Sequence, residues 1–190
     1  FGAMAILLLV YVVLALVHEY VSEVHWLWLQ MFDVDDEHNL PTFFSGFILL
    51  CATLILWCIW SESGRFRAAW FGLFLGFAFL SMDEIAGFHE AFNMVTNPVW
   101  AWTGLGIAAV VGLLFIPLLL SLPRATAIGM GISGALYVGG AAVVELLNAP
   151  MDSDSLGYRL AVLVEEGLEM LGIIVFICVL LAYRARPRAA

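Results

Sequence analysis

Long apolar runs separated by short polar segments dominate the chain, and they predict a bundle of transmembrane helices. Crossing the hydrocarbon core of a bilayer takes about 20 predominantly apolar residues. The pattern therefore predicts an all-α membrane protein with six transmembrane helices, at residues 2–32, 42–60, 68–92, 99–122, 125–147 and 158–183. The loops between them are short, so we expect neighbouring helices to run antiparallel within a single domain over residues 1–190.

Arginines fix the orientation of this bundle. Six of them fall on one side of the predicted membrane: Arg65, Arg67, Arg124, Arg184, Arg186 and Arg188. The positive-inside rule makes that side cytoplasmic, so both termini are predicted to lie in the cytoplasm. The acidic segments 33–37 and 152–154 then face the outside.

Composition supports the membrane interpretation and excludes several classes of function. Hydrophobic residues make up 64% of the chain and charged residues 12%, whereas soluble domains average about 45–50% and about 25%. The net charge of −9 leaves no basic surface for nucleic acid. The chain contains no lysine, which excludes both a Schiff-base cofactor and a P-loop.

Seven carboxylates lie inside or at the edges of the predicted helices: Asp83, Glu84, Glu90, Glu145, Glu165, Glu166 and Glu169. An ionised acid near the bilayer centre costs about 2.5–3.5 kcal/mol on insertion scales, so such residues are functional candidates by default. The predicted orientation places all seven in the outer half of the membrane, together with a single arginine, Arg159. Because Arg159 precedes Glu166 by seven residues on one helix face, we predict that it is their charge partner.

Carboxylate oxygens combined with imidazole suit hard or borderline cations, which predicts a site for a divalent metal ion, Mn, Fe or Zn. The predicted ligands come from two helices: Asp83, Glu84, His89, Glu166 and Glu169. Glu145 and Glu165 are the candidates for a catalytic base or for groups that support the ligands. A metal-dependent enzyme built this way would act on a lipid or another membrane-soluble substrate.

Two other functions fit the same pattern. Mostly protonated acids would instead form a proton relay, as in a proton- or cation-coupled transporter, although the inner half of the bundle is poor in polar residues. The other alternative is an accessory subunit of a larger membrane complex that holds haem, a pigment or lipid through His18 or His89. Small residues at positions 131, 135, 139 and 142 would support packing within the chain or a homo-oligomer.

Three strings of the sequence carry a resemblance to known proteins. They cover residues 32–45, 80–90 and 164–170, and two of them contain the motifs Ser-x-Asp-Glu-x4-His-Glu and Glu-Glu-x2-Glu. Both motifs resemble those of a group of small, uncharacterised multi-pass membrane proteins of bacteria and archaea. The resemblance implies a shared fold and site in a prokaryotic cytoplasmic membrane, and it implies no activity.

Overall fold

The computed structural model describes residues 1–36, 38–88, 100–148, 150–153 and 155–186, and these residues form helices joined by loops, without a strand. The helices are α1 (Gly2–Tyr20), α2 (Trp26–Phe32), α3 (Leu40–Glu62), α4 (Arg67–Ala86), α5 (Trp100–Ser121), α6 (Arg124–Asn148) and α7 (Leu156–Arg184). Helix α6 includes a π-helical segment, Gly139–Val144. The predicted all-α class is thus confirmed for the described residues.

Five helices are long and apolar enough to cross a membrane, which agrees with a multi-pass membrane protein. They are α1, α3, α4, residues Trp102–Ser121 of α5, and α6. Helix α7 is 29 residues long but is not one of the five. Its first half carries Glu165, Glu166 and Glu169, so its crossing of the membrane stays a prediction.

The structure divides the first predicted helix, residues 2–32, into two. Helix α1 ends at Tyr20 and the seven-residue helix α2 begins at Trp26. Two imidazoles stabilise the break, because His18 Nδ1 accepts the Val24 N–H and His25 Nδ1 accepts the Leu27 N–H, both at 3.3 Å. These side chains satisfy backbone groups that a continuous helix would have paired internally.

Close approach of small residues organises the bundle into two antiparallel hairpins, α3–α4 and α6–α7. In the first, the Ser81 hydroxyl donates to the Gly46 carbonyl at 2.9 Å. In the second, the Ser133 hydroxyl donates to the Gly172 carbonyl at 2.9 Å. Helices α3 and α7 then pack against each other and join the hairpins, through buried residues such as Leu49 and Met170.

The two ends of the bundle differ in charge. At one end, called the arginine end, Arg184 Nη2 pairs with Glu62 Oε1 at 2.8 Å. The rings of Trp70 and Tyr183 stack nearby, with their centroids 5.6 Å apart. The antiparallel pairing of α6 with α7 brings Arg124 to this same end. The opposite end, called the acidic end, holds segments 33–36 and 150–153 with their aspartates. Arg124 and Arg184 therefore lie at one end and the aspartates of the two acidic segments at the other, while Glu62 and Arg159 carry the opposite charge at each end.

Asn39 holds the acidic end together, and its replacement gives a first testable prediction. The side-chain amide of this N-cap residue donates to the carbonyls of Asp33 at 2.5 Å and Asp36 at 2.8 Å, and its oxygen accepts the Thr42 N–H. We expect Asn39→Ala to lower the free energy of unfolding in detergent by about 2 kcal/mol. Asn39→Ser, which keeps a capping oxygen but loses the amide donors, should fall between alanine and wild type.

The control for this comparison is Gln30→Ala. The Gln30 side chain is exposed, and the contact of residue 30 with Asn39 uses its backbone carbonyl, so the substitution should leave the unfolding midpoint close to that of wild type. Equal stability of wild type and Asn39→Ala would contradict a stabilising role for Asn39.

Candidate functional site

Six acidic side chains from three helices form what we call the carboxylate cluster, in the half of the bundle nearer the acidic end. Its members are Asp83 and Glu84 of α4, Glu145 of α6, and Glu165, Glu166 and Glu169 of α7. Asp83 is buried and the other five are half-buried. Since the antiparallel hairpins bring the last turns of α4 and α6 beside the first half of α7, residues far apart in sequence meet here.

Glu169 is the point at which the charges of the cluster converge. Four other members, one from α4, one from α6 and two from α7, act electrostatically on its carboxyl group. The Tyr137 hydroxyl of α6 lies in the field of Glu169, Asp83 and two further members. The effect of one charge on another falls with distance, so these groups lie in the surroundings of Glu169. The described carboxylates of the predicted site thus lie in one electrostatic neighbourhood.

The π-helical segment of α6 lies directly against the glutamates of α7. A Cβ added at Gly140 would stand 2.6 Å from the Glu165 carbonyl oxygen and 2.9 Å from Glu169 Cγ. Only a residue without a side chain allows this approach. Single π turns are rare and often occur at functional sites, so the segment marks the same place as the acidic residues do.

Asn148, the last residue of α6, adds a neutral oxygen to the cluster. Its Nδ2 donates to Glu165 Oε2 at 2.9 Å, which fixes the orientation of the amide. The residue is 4% exposed, and no donor among the described residues reaches its Oδ1. A buried acceptor left unsatisfied costs about 1–3 kcal/mol. The Asn148 oxygen is therefore positioned for a ligand that is not part of the described chain.

The histidines and the arginine of the predicted site lie elsewhere or outside the described residues. His18 is exposed at the end of α1, where its Nδ1 is already used by the Val24 N–H. His89 and Glu90 fall outside the described residues. The charge of Arg159 acts on Asp33, and its pairing with Glu166 stays a prediction, as do the proposed roles of His18 and His89 in binding a cofactor.

The metal centre predicted from the sequence has no preformed counterpart in the part of the chain that the structure describes. Within those residues, no three His, Cys, Asp or Glu side chains are arranged to hold a metal ion. The imidazole predicted to complete the ligand set, that of His89, is not among them. Metal binding stays a prediction that this geometry does not support.

Comparison with known proteins identifies the family. A family model described as a domain of unknown function, DUF8692, matches residues 3–183. The chain belongs to the DUF8692 family. Comparison with curated proteins and with solved structures gives no match. Membership in DUF8692 agrees with the predicted resemblance to an uncharacterised family, whereas the shared motifs and the bacterial and archaeal range stay predictions.

Two residues of the candidate site, Asn148 and Tyr137, are not predicted from the sequence. Asn148 stands two residues before Pro150, a position typical of the start of a loop. The sequence feature that points to it is a lone asparagine at the end of an apolar run. Tyr137 lies within an apolar stretch and resembles an ordinary core residue. In this DUF8692 chain both residues are recognised by their neighbours on α7, and only the tertiary structure shows those neighbours.

Proposed function

We propose that this chain is an integral membrane protein that binds a cation in the carboxylate cluster. The proposal includes six membrane-spanning helices, with α7 as the sixth, and both termini in the cytoplasm. Support for this topology comes from the arginine end, where the ion pair of Glu62 with Arg184 joins α3 and α7. By the positive-inside rule this end faces the cytoplasm, and the cluster then opens toward the outer side.

The observation that carries the proposal is the environment of Asn148. One half of its amide is bonded to Glu165 and the other half, the buried Oδ1, lacks a donor among the described residues. Amide and carboxylate oxygens together are the ligands that hard cations prefer. A cation bound between Asn148 and the neighbouring glutamates would satisfy this oxygen and offset their negative charge at once.

The number of acidic groups supports the same conclusion. Bringing several ionised carboxylates together in a poorly solvated site is unfavourable unless positive charge or protons accompany them. A divalent ion, Mn, Fe or Zn, supplies that charge most directly. Its ligands would come from Asp83, Glu84, His89, Glu166 and Glu169, with Glu145 and Glu165 placed to accept a proton in a metal-dependent reaction.

One observation favours a second candidate function, proton transfer through the same carboxylates. The described residues contain no group of three side chains preformed for a metal, and shared protons require no such geometry. A protonated glutamate would also donate to Asn148 Oδ1. This candidate is the basis of a proton- or cation-coupled transporter.

Metal titration of the full-length protein in lipid nanodiscs tests the proposal. We expect wild type to retain close to one equivalent of Mn, Fe or Zn after dialysis, measured by elemental analysis. Glu169→Gln and Asn148→Leu should weaken binding by about tenfold to a hundredfold, because each removes an oxygen from the site. Glu19→Gln is the matched control, since Glu19 is exposed at the end of α1, and it should bind metal as wild type does.

Two outcomes separate the candidates. If wild type holds no metal even after soaking, and if the infrared carbonyl band of protonated carboxyl groups is weaker in Glu169→Gln, the proton-transfer candidate replaces the metal site. If neither metal nor a Glu169-dependent carboxyl band is found, cation binding in the cluster is wrong.

A further inference from the structure

A pocket at the acidic end, separate from the carboxylate cluster, has the size and chemistry of a ligand site. It has a volume of about 330 Å³ and lies between α1, α2, the segment after α2 and the first turn of α7. This volume is at the lower end of the range for small-molecule sites, about 300–1,000 Å³. A headgroup-sized ligand fits it, whereas a large planar cofactor does not.

The walls of this pocket divide into an apolar and a charged part. Leu29 and Phe32 of α2 line one side, and Asp33, Asp35 and Arg159 contribute charges of both signs. Such a combination matches an amphiphile that carries a cation, an anion and an alkyl chain. A ligand with one kind of charge alone would leave part of the pocket uncompensated.

The charged groups are held in place before any ligand binds. The Tyr158 hydroxyl donates to Asp35 Oδ1 at 3.0 Å, and the Asp35 N–H donates to Asp33 Oδ1 at 3.2 Å. Burial raises the pKa of Asp33, and the charges of Asp36 and Asp35 raise it further. A cation next to Asp33 would reverse this effect.

Arg159 completes the pocket as its anion-binding group. Its side chain is half-buried, and among the described residues its guanidinium is not held within an ion pair. A guanidinium offers paired N–H donors that match the oxygens of a phosphate. Arg159 can therefore take a phosphate, while Asp33 and Asp35 face an ammonium.

The position of α2 indicates that the ligand comes from the membrane. Trp26 and Trp28 of this short helix are 65% and 53% exposed, and tryptophans concentrate where a bilayer meets water. Helix α2 joins the apolar α1 to the acidic segment, so the pocket opens at the level of lipid headgroups. Its apolar wall continues onto the apolar helix α1 through Leu14 and Ala15.

We propose that this pocket binds the headgroup of a zwitterionic phospholipid, with the phosphate on Arg159 and the ammonium on Asp33 and Asp35. The first part of the acyl region then packs on Leu29 and Phe32. This assignment does not rest on the proposal that the carboxylate cluster binds a cation.

Native mass spectrometry of the delipidated, full-length protein tests this assignment, with phosphatidylethanolamine or phosphatidylglycerol added back. We expect one phosphatidylethanolamine per chain, bound about tenfold more tightly than phosphatidylglycerol, which lacks the ammonium group. Arg159→Gln should weaken this binding by about tenfold, and Arg159→Lys, which keeps the charge, by less. Asp33→Asn combined with Asp35→Asn should remove the preference between the two lipids.

Controls distinguish the pocket from the rest of the protein. Arg186→Gln, at the arginine end, and Glu169→Gln, in the carboxylate cluster, should bind phosphatidylethanolamine as wild type does. Unchanged binding in a folded Arg159→Gln variant would overturn the proposal, and so would equal affinity for the two lipids. Binding of soluble phosphoethanolamine as tightly as the lipid would overturn the membrane origin of the ligand.

Discussion

Replacing Gly172 with alanine should destabilise the protein by about 1–3 kcal/mol, the usual cost of overpacking a tight contact. A Cβ at this position would lie 2.8 Å from the Tyr137 backbone nitrogen and 3.0 Å from the Ser133 carbonyl oxygen. Backbone atoms of a packed helix cannot move aside as a flexible side chain can. The substitution therefore separates α6 from α7 and weakens the hydrogen bond from the Ser133 hydroxyl to the Gly172 carbonyl.

Gly131→Ala is the matched control for this experiment, and it should change stability in the opposite direction. A Cβ at Gly131 meets nothing within 4 Å, so alanine is expected to stabilise helix α6 by up to about 1 kcal/mol. Unfolding in detergent, followed by circular dichroism, measures both variants. A Gly172→Ala protein as stable as Gly131→Ala would contradict the close packing of α6 on α7.

The second large effect is expected at Gly140, where alanine should weaken cation binding by at least about tenfold. Its Cβ would collide with the Glu165 carbonyl oxygen at 2.6 Å, and the π segment would have to move away from α7. Glu145 and Asn148 lie in the helical turn after this segment, so they would move with it. The glutamates of α7 would then lose the partners that α6 brings to the cluster.

Gly139→Ala provides a control one residue away in the same π segment. A Cβ at Gly139 meets nothing within 4 Å, so metal affinity in nanodiscs should match that of wild type. If Gly140→Ala binds metal as tightly as wild type does, the approach of α6 to Glu165 is not part of the cation site. A common loss in both variants would instead indicate sensitivity of the whole π segment.

Much of the helical pattern can be predicted from the sequence, because transfer into a bilayer depends on local composition. The apolar runs that become α3, α5 and α6 are bounded by polar or proline-containing segments. Helix α4 instead ends at Ala86, before Gly87 with a φ of 63°, and not at the predicted residue 92. The break at Tyr20 is different, since polar residues such as Glu19 and Glu23 alternate there with apolar ones, a pattern that a continuous amphipathic helix would also show. It depends on imidazoles that accept backbone N–H groups, as His25 does, and composition does not reveal such contacts.

Helical periodicity does not predict which face of α6 packs against α7. Spacing at about 100° per residue groups Gly131 with Gly139, yet a Cβ at either position meets open space. The contacts with α7 are instead made by Gly129, Gly140 and the Ser133 hydroxyl. Two small-residue stripes run along one helix, and the sequence alone does not say which of them faces a partner.

For the candidate site too, single residues can be predicted from the sequence, whereas contacts between helices cannot. Acidic residues within apolar runs are conspicuous, so the members of the carboxylate cluster could be predicted one by one. Their proximity to Glu169 follows from the antiparallel hairpins. Short loops in the sequence also predict that neighbouring helices run antiparallel. The contribution of Asn148 depends on a single pair of atoms in two helices, and no pattern along the chain encodes it.

The π segment amounts to an insertion of one residue within α6. Its i→i+5 hydrogen bonds accommodate a residue that an α-helix would not, and each residue turns the helix by about 100°. If α-helical bonds instead ran through the same residues, the extra residue would turn Glu145 and Asn148 by about that angle, away from α7. The orientation of this site is thus set by the hydrogen-bonding pattern of α6 as well as by the identity of its residues.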